Sequence, residues 1–151
     1  MPESGNDLLK GQSSITLDEK GRIVFPARLR SGLTGTTVII TNGMDKCLWI
    51  FSPSEWENFA AKITETTSRF NKGNLLNQRK YTAPAQEMEF DRNGRLSIPQ
   101  SLREQAGLIR DCVMHRVKLG RLEVIELWDV LEYKTYVGRS ETVETLDSVD
   151  F

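Results

Sequence analysis

Short apolar segments separated by polar turns recur along the chain, and their order predicts β-strands interrupted by helices. Residues 15–17 and 23–25 flank a charged turn, so they predict the two partner strands of a hairpin. Gly21 in this turn can take the positive φ that such a turn often needs. Pro26 suits the first position of a short helix, and Gly32 suits its end. The β-branched residues of 36–41 predict a buried strand after this helix.

The first half of the chain continues with one more strand and a longer helix. Residues 47–51 predict the strand. The Ser-Pro-Ser-Glu sequence at 52–55 is a capping-box pattern, which predicts a helix start. Trp56, Phe59 and Ile63 then fall on one face of that helix, so we expect them to pack in a core or an interface.

The same order of segments occurs twice. Residues 17–30 read LDEKGRIVFPARLR and residues 90–103 read FDRNGRLSIPQSLR, with six identities at an offset of 73 (91 − 18). The identical pairs are Asp18/Asp91, Gly21/Gly94, Arg22/Arg95, Pro26/Pro99, Leu29/Leu102 and Arg30/Arg103. The second half predicts strands at 86–90, 96–98, 113–119 and 124–128. Pro99 opens a short helix that Gly107 stops, and Asp129 with Glu132 repeats the capping box at the start of the last helix. Each half therefore predicts the order β, turn, β, short helix, β, β, helix.

The repeats and the segments between them predict five regions. We expect a flexible arm at 1–12, a first repeat at 13–63, a connector at 64–84, a second repeat at 85–137 and an acidic tail at 138–151. A length of 151 residues suits two half-length units that share one core.

Composition and charge exclude several classes of protein. Hydrophobic residues make up 38% and charged residues 27%, values typical of soluble globular proteins. No apolar run approaches the ~20 residues that span a bilayer, and the N-terminus lacks signal-peptide features, so we expect a cytoplasmic protein without membrane contact. The net charge is −1, so any surface that binds nucleic acid must be local.

Few residues suggest catalysis or metal binding. Cys47 and Cys112 lack a CxxC spacing and stand in apolar strands, which predicts small core residues. His115 is the one histidine, so neither a zinc site nor a catalytic triad is indicated. An enzyme using Asp18 and Asp91 as acid and base would lack a nucleophile, a metal cluster and a phosphate loop. We therefore expect neither an enzyme nor a cofactor.

The Asp18-x-x-x-Arg22 turn has two interpretations. An arginine at the end of a turn can present its guanidinium group to a guanine edge or to a phosphate. Alternatively, Asp18 and Arg22 form an ion pair that closes the turn, and the residues alone favour this second interpretation. Arg28, Arg30 and Arg103 on the short helices could serve either subunit contacts or phosphate contacts.

Two such turns in matched contexts, each followed by a strand and a proline, resemble the MraZ family. Members of this family are similar to two AbrB-type swapped-hairpin units fused in one chain. The resemblance implies an α+β, double-split β-α-β fold, built from two tandem AbrB-like pseudo-repeats around a shared β core with short helices outside. It also implies ring-shaped homo-oligomers and sequence-specific binding of double-stranded DNA. The expected sites are short promoter repeats upstream of the division and cell wall gene cluster, and the expected location is the nucleoid.

The resemblance also implies roles for particular residues. Arg22 would contact DNA, Asp18 would orient it, and Lys20 would add a phosphate contact. In the second turn Asp91, Asn93 and Arg95 hold the matching positions and are further candidates. That turn reads Arg92-Asn93 where the first reads Glu19-Lys20, so the ion-pair interpretation is kept for Asp91 and Arg95.

An alternative function belongs to another class of protein. In it, the ring is an assembly module that binds protein partners, and the two turns only hold subunits together.

Overall fold

The structure is a computed structural model that describes residues 11–33, 35–65 and 72–139. The arm predicted at 1–12 and the tail predicted at 138–151 lie almost entirely outside these residues, and the domain boundaries stay predictions. No helix in the described part of the chain combines the length and the apolar character needed to cross a membrane.

The two halves have the same order of elements. The strands are β1 (Ser13–Thr16), β2 (Arg22–Val24), β3 (Thr37–Asn42), β4 (Leu48–Phe51), β5 (Gln86–Glu89), β6 (Arg95–Ser97), β7 (Asp111–Leu119) and β8 (Leu122–Asp129). The helices are α1 (Ala27–Arg30), α2 (Pro53–Glu65), α3 (Lys72–Asn77), a π-helical turn (Gln78–Thr82), α4 (Gln100–Ala106) and α5 (Val130–Val137). This confirms the predicted α+β fold and the predicted element order.

Six strands form one antiparallel sheet in the order β1-β7-β8-β4-β3-β5, and the two repeats meet at its centre between β8 and β4. Strand β1 lies at one edge of this sheet and pairs with β7 of the other repeat, where Ser13 is opposite Met114. On the other side, β5 of the second repeat pairs with β3, where Glu89 is opposite Thr37. The sheet therefore interleaves the two repeats.

The remaining two strands, β2 and β6, pair with each other and form a ribbon of their own. Ile23 lies opposite Leu96, and both side chains are almost fully buried. The ribbon is extended at each end by a backbone bond between repeats, from Ile98 N–H to the Gly21 carbonyl at 2.9 Å and from Phe25 N–H to the Gly94 carbonyl at 3.3 Å.

The hairpin predicted from 15–17 and 23–25 is therefore wrong. The turn between them closes through a bond from Asp18 N–H to the Arg22 carbonyl at 2.8 Å, but the strands then separate and pair with the other repeat. Pairing β2 with β6 places their two inward side chains together against one core, which removes both from water.

The helices also differ in detail from the prediction. Pro26 and Pro99 precede α1 and α4 as N-cap residues with extended backbone, one position earlier than predicted. Helix α1 has only four residues, so it ends before Gly32. Helix α4 ends at Gly107, whose φ of 65° fits the predicted stop.

The glutamates of both predicted capping boxes form hydrogen bonds with the other repeat. Ser52 Oγ accepts the Glu55 N–H at 3.3 Å, as the pattern predicts. The Glu55 carboxylate, however, accepts the Glu123 N–H of the other repeat at 2.6 Å. At the start of α5, Glu132 accepts a hydrogen bond from Lys46 of the first repeat at 3.0 Å. These contacts join α2 and α5 to the opposite repeat.

Two apolar cores lie on opposite faces of the six-stranded sheet. The first packs the ribbon, α1 and α4 against the sheet, and it includes Cys112. The second is rich in aromatic residues, lies under α2 and α5, and includes Cys47, Phe59 and Ile63. Trp56 packs against this second core, which confirms the predicted face of α2. Both cysteines are buried and free, as predicted.

Candidate functional site

The first turn is closed by the carboxylate of Asp18. Its Oδ1 accepts the backbone N–H groups of Lys20 and Arg22, each at 2.9 Å, and its Oδ2 accepts Arg22 Nε at 2.8 Å. Gly21 has a φ of 78°, which favours glycine at this position and confirms the predicted conformation. Asp18 therefore holds both the backbone of the turn and the side chain of the arginine.

The second turn has the same geometry. Asp91 Oδ1 accepts the N–H groups of Asn93 and Arg95, each at 2.8 Å, and Asp91 Oδ2 accepts Arg95 Nε at 2.9 Å. Gly94 has a φ of 74°. An ion pair thus closes each turn, and the change from Glu19-Lys20 to Arg92-Asn93 leaves the backbone unaltered.

Hydrogen bonding keeps both aspartates ionised. The backbone N–H of Arg22 has the largest effect in lowering the pKa of Asp18, with further help from the Arg22 side chain and the Lys20 N–H. The Arg95 backbone N–H lowers the pKa of Asp91 in the same way. Each carboxylate is therefore charged at neutral pH and binds its arginine through Nε. The terminal amino groups of these two arginines have no hydrogen-bond partner among the residues that the structure describes.

The ribbon brings the two arginines to one surface. Side chains alternate along a strand, and directly opposite residues share a face. Arg22, Val24, Arg95 and Ser97 therefore lie on the outer face, opposite the buried Ile23 and Leu96. The arginines stand two residues apart along the ladder on neighbouring strands, so their Cα atoms are about 8 Å apart by ideal sheet dimensions.

The tips of the two turns differ in chemistry. Lys20 and Asn93 hold equivalent positions, and both are exposed. Glu19 and Arg92 precede them and are exposed as well. The structure thus brings all six predicted site residues to the two ends of one ribbon; these are Asp18, Lys20, Arg22, Asp91, Asn93 and Arg95.

Sequence reasoning did not place two further arginines, Arg30 and Arg103, although their match at the same offset was visible. Arg103 lies over Gly21, where an added Cβ would come within 2.5 Å of its Cζ. The Arg30 Cζ lies 3.6 Å from the ring centre of Phe90, beside the second turn. Each arginine thus contacts the turn region of the other repeat. The predicted local hairpin could not have shown this.

Away from the ribbon, the structure has a buried polar cluster around Glu126. Its carboxylate accepts hydrogen bonds from Trp49 Nε1 and Trp128 Nε1, each at 2.9 Å, and lies 3.1 Å from His115 Nε2. Burial acts to raise the pKa of Glu126, but these hydrogen bonds outweigh it, so the pKa lies below the ordinary value. Within the described ranges, no group of three or more His, Cys, Asp or Glu side chains could hold a metal ion.

Comparison with known sequences agrees with the duplicated arrangement. A family model described as "MraZ protein, putative antitoxin-like" matches residues 8–79 and, a second time, residues 82–148. The chain belongs to the MraZ family. The two matched segments correspond to the two tandem units of the fold.

Curated relatives support the same family. A protein of Treponema denticola named transcriptional regulator MraZ is 48% identical over 133 residues, which cover 88% of this chain and 90% of the relative. The protein of the same name in Treponema pallidum is 42% identical over 131 residues, covering 87% and 85%. A Thermoanaerobacter protein of that name is 36% identical over 145 residues, covering 95% and 99%. MraZ relatives therefore match this chain over nearly its whole length.

Proposed function

We propose that this chain is a sequence-specific DNA-binding transcriptional regulator of the division and cell wall gene cluster. It acts as a ring oligomer on repeated short promoter sites, in the cytoplasm at the nucleoid. The observation that carries the proposal is the outer face of the β2–β6 ribbon, which presents both Arg22 and Arg95, diagonally across the two strands. The name of the relatives, transcriptional regulator, supports it.

The chemistry of the two arginines fits base recognition. Each uses Nε to bind its own aspartate, which leaves the two terminal amino groups for an outside partner. The two amino groups of one arginine can bind O6 and N7 of the same guanine, a contact that discriminates against other bases by ~1–3 kcal/mol. Because Asp18 and Asp91 already restrain the side chains, little conformational entropy is lost on binding.

The shape of the ribbon also suits DNA. The major groove is about 12 Å wide and admits a two-stranded β-ribbon. With the two Cα atoms about 8 Å apart, the guanidinium groups can reach bases a few steps apart in one groove. Lys20 lies at the tip of the first turn and can contact phosphate, while Asn93 at the second tip can donate to a phosphate or pair with adenine.

A ring compensates for the low charge of each subunit. The whole chain carries a net charge of −1, so one subunit alone should bind weakly. Several ribbons on one face of a ring would bind repeated sites with a raised effective concentration, which increases affinity by ~10²-fold or more.

Replacement of Arg22 tests the proposal. We expect Arg22→Ala to weaken binding to a labelled duplex from the DNA upstream of this chain's own gene by about 5- to 150-fold per engaged subunit. Fluorescence anisotropy measures the affinity, and light scattering should give an unchanged mass. Arg121→Ala, at the exposed β7–β8 hairpin tip, is the matched control and should leave the affinity unaltered.

The alternative assembly function predicts the opposite pattern. In that case Arg22→Ala changes the mass of the oligomer, and the wild-type protein does not prefer the upstream duplex over a scrambled one. Arg95→Ala extends the test to the second turn. A loss of affinity comparable to that of Arg22→Ala supports DNA contact there, whereas an unchanged affinity leaves that ion pair a purely structural role.

A further inference from the structure

The arginines that lie beside the two turns come from the opposite repeats. Arg30 is in α1 of the first repeat and lies near the second turn; Arg103 is in α4 of the second repeat and lies near the first turn. Cross-repeat pairing of β2 with β6 causes this exchange, because it brings each short helix beside the other repeat's turn. Each turn is therefore surrounded by residues of both halves.

The two arginines are held differently. The guanidinium group of Arg103 covers Gly21 closely, and this glycine is buried. The Nε of Arg103 has no hydrogen-bond partner among the described residues. Arg30 stacks on the ring of Phe90, at 3.6 Å from the centroid. The residue equivalent to Phe90 in the first repeat is Leu17, which offers no ring for Arg103.

Both turns concentrate positive charge without a matching number of carboxylates. At the first turn, three cationic side chains (Lys20, Arg22 and Arg103) stand with two carboxylates (Asp18 and Glu19). At the second turn, three cationic side chains (Arg30, Arg92 and Arg95) stand with one carboxylate (Asp91). Neither Arg30 nor Arg103 forms an ion pair within the described residues. Like charges brought together on a chain of net charge −1 favour an anionic partner at this place.

We propose that each DNA-reading turn is a composite of both repeats. Arg103 supplies a backbone-phosphate contact next to the base contact of Arg22, and Arg30 does the same next to Arg95. This inference rests on the proposed function, and it assigns to DNA two arginines that the sequence left open between phosphate and subunit contacts.

Single replacements give the first test. We expect Arg103→Ala and Arg30→Ala each to weaken binding by about tenfold per engaged subunit, the effect of one charge-assisted hydrogen bond. The loss should be equal on the upstream duplex and on a scrambled duplex, because phosphates carry no sequence information. The slope of log affinity against log salt should become shallower by about 0.9 per engaged subunit, whereas Arg103→Lys should retain the wild-type slope.

Pairs of replacements give the sharper test. Residues in contact couple, whereas distant residues act additively. We expect Arg103→Ala to be non-additive with Arg22→Ala by at least about twofold and additive with Arg95→Ala. Arg30→Ala should couple with Arg95→Ala and be additive with Arg22→Ala, although Arg30 and Arg22 belong to one repeat. Coupling of Arg30 with Arg22 instead would overturn the composite turn.

Controls separate this inference from the proposed function. Arg121→Ala removes one positive charge at a hairpin tip about 27 Å along β7 from the end that pairs with β1, and it should change neither affinity nor slope. If Arg22→Ala weakens binding but Arg103→Ala and Arg30→Ala stay within twofold of the wild type, the composite turn is wrong and the proposed function stands. A changed oligomer mass in either variant would assign these arginines to subunit contacts and overturn the inference. If Arg22→Ala has no effect, the proposed function fails as well.

Discussion

The ribbon should be a main contributor to stability, and Leu96→Ala tests this. Leu96 is completely buried and lies opposite Ile23 in the ladder that joins the repeats. Leucine-to-alanine replacements at buried sites cost roughly 3–5 kcal/mol, from lost transfer free energy and from the cavity that remains. For a chain of this length, 1 kcal/mol corresponds to about 2–4 °C in melting temperature. The expected decrease is therefore roughly 6–20 °C.

The measurement is thermal unfolding followed by circular dichroism, at one protein concentration because the melting temperature of any self-associating protein depends on concentration. Leu76→Ala is the matched control, since Leu76 is 62% exposed on α3 and its replacement should cost no more than about 0.5 kcal/mol. A Leu96→Ala protein that melts within about 2 °C of the wild type would refute the role of the ribbon in joining the repeats. Two separate transitions would also contradict the shared core.

Three more outcomes are expected. Asp18→Asn removes the charge that holds Arg22, so DNA affinity should fall by roughly three- to tenfold in an anisotropy titration, with little change in melting temperature. Hydrogen bonds lower the pKa of Glu126 despite burial, so it contributes stability that is present above the ordinary glutamate pKa and is lost as pH falls through the lowered value. Urea unfolding from pH 7 to pH 3 should show that loss in the wild type and less of it in Glu126→Gln. Burial raises the pKa of Cys112 to about 12 and also raises that of Cys47, so neither thiol should react with a thiol reagent at pH 8 before unfolding; fast reaction of the native protein would contradict this.

Local features of the fold were well predicted because local chemistry determines them. The positive φ of Gly21 follows from its place in a tight turn. The helix stop at Gly107 and the buried face of α2 follow from residue type and spacing. The duplication strengthened these predictions, because each element was predicted twice from different residues.

Pairing between strands was predicted less well. A three-residue strand such as β2 has one inward side chain, Ile23, and this pattern fits several partners equally. The partner is decided by burial of Ile23 against Leu96, a contact between residues 73 positions apart (96 − 23). For the same reason the sequence did not indicate which residues Arg30 and Arg103 contact, because their neighbours depend on which strands pair. The capping-box glutamates show the same effect, as Glu55 follows its local pattern in sequence but bonds to the other repeat.

Interleaving of the sheet constrains the order of events during synthesis. Ser13 pairs with Met114, so the first strand cannot join its ladder until about a hundred further residues have been made. At roughly 5–20 residues per second, that interval lasts about 5–20 s on the ribosome. Strand β2 likewise waits for β6, so Ile23 lacks its partner Leu96 until 73 further residues (96 − 23) have been made. Pairing of β1 with β7 therefore depends on the closure of a long loop, which is typical of slow folding steps.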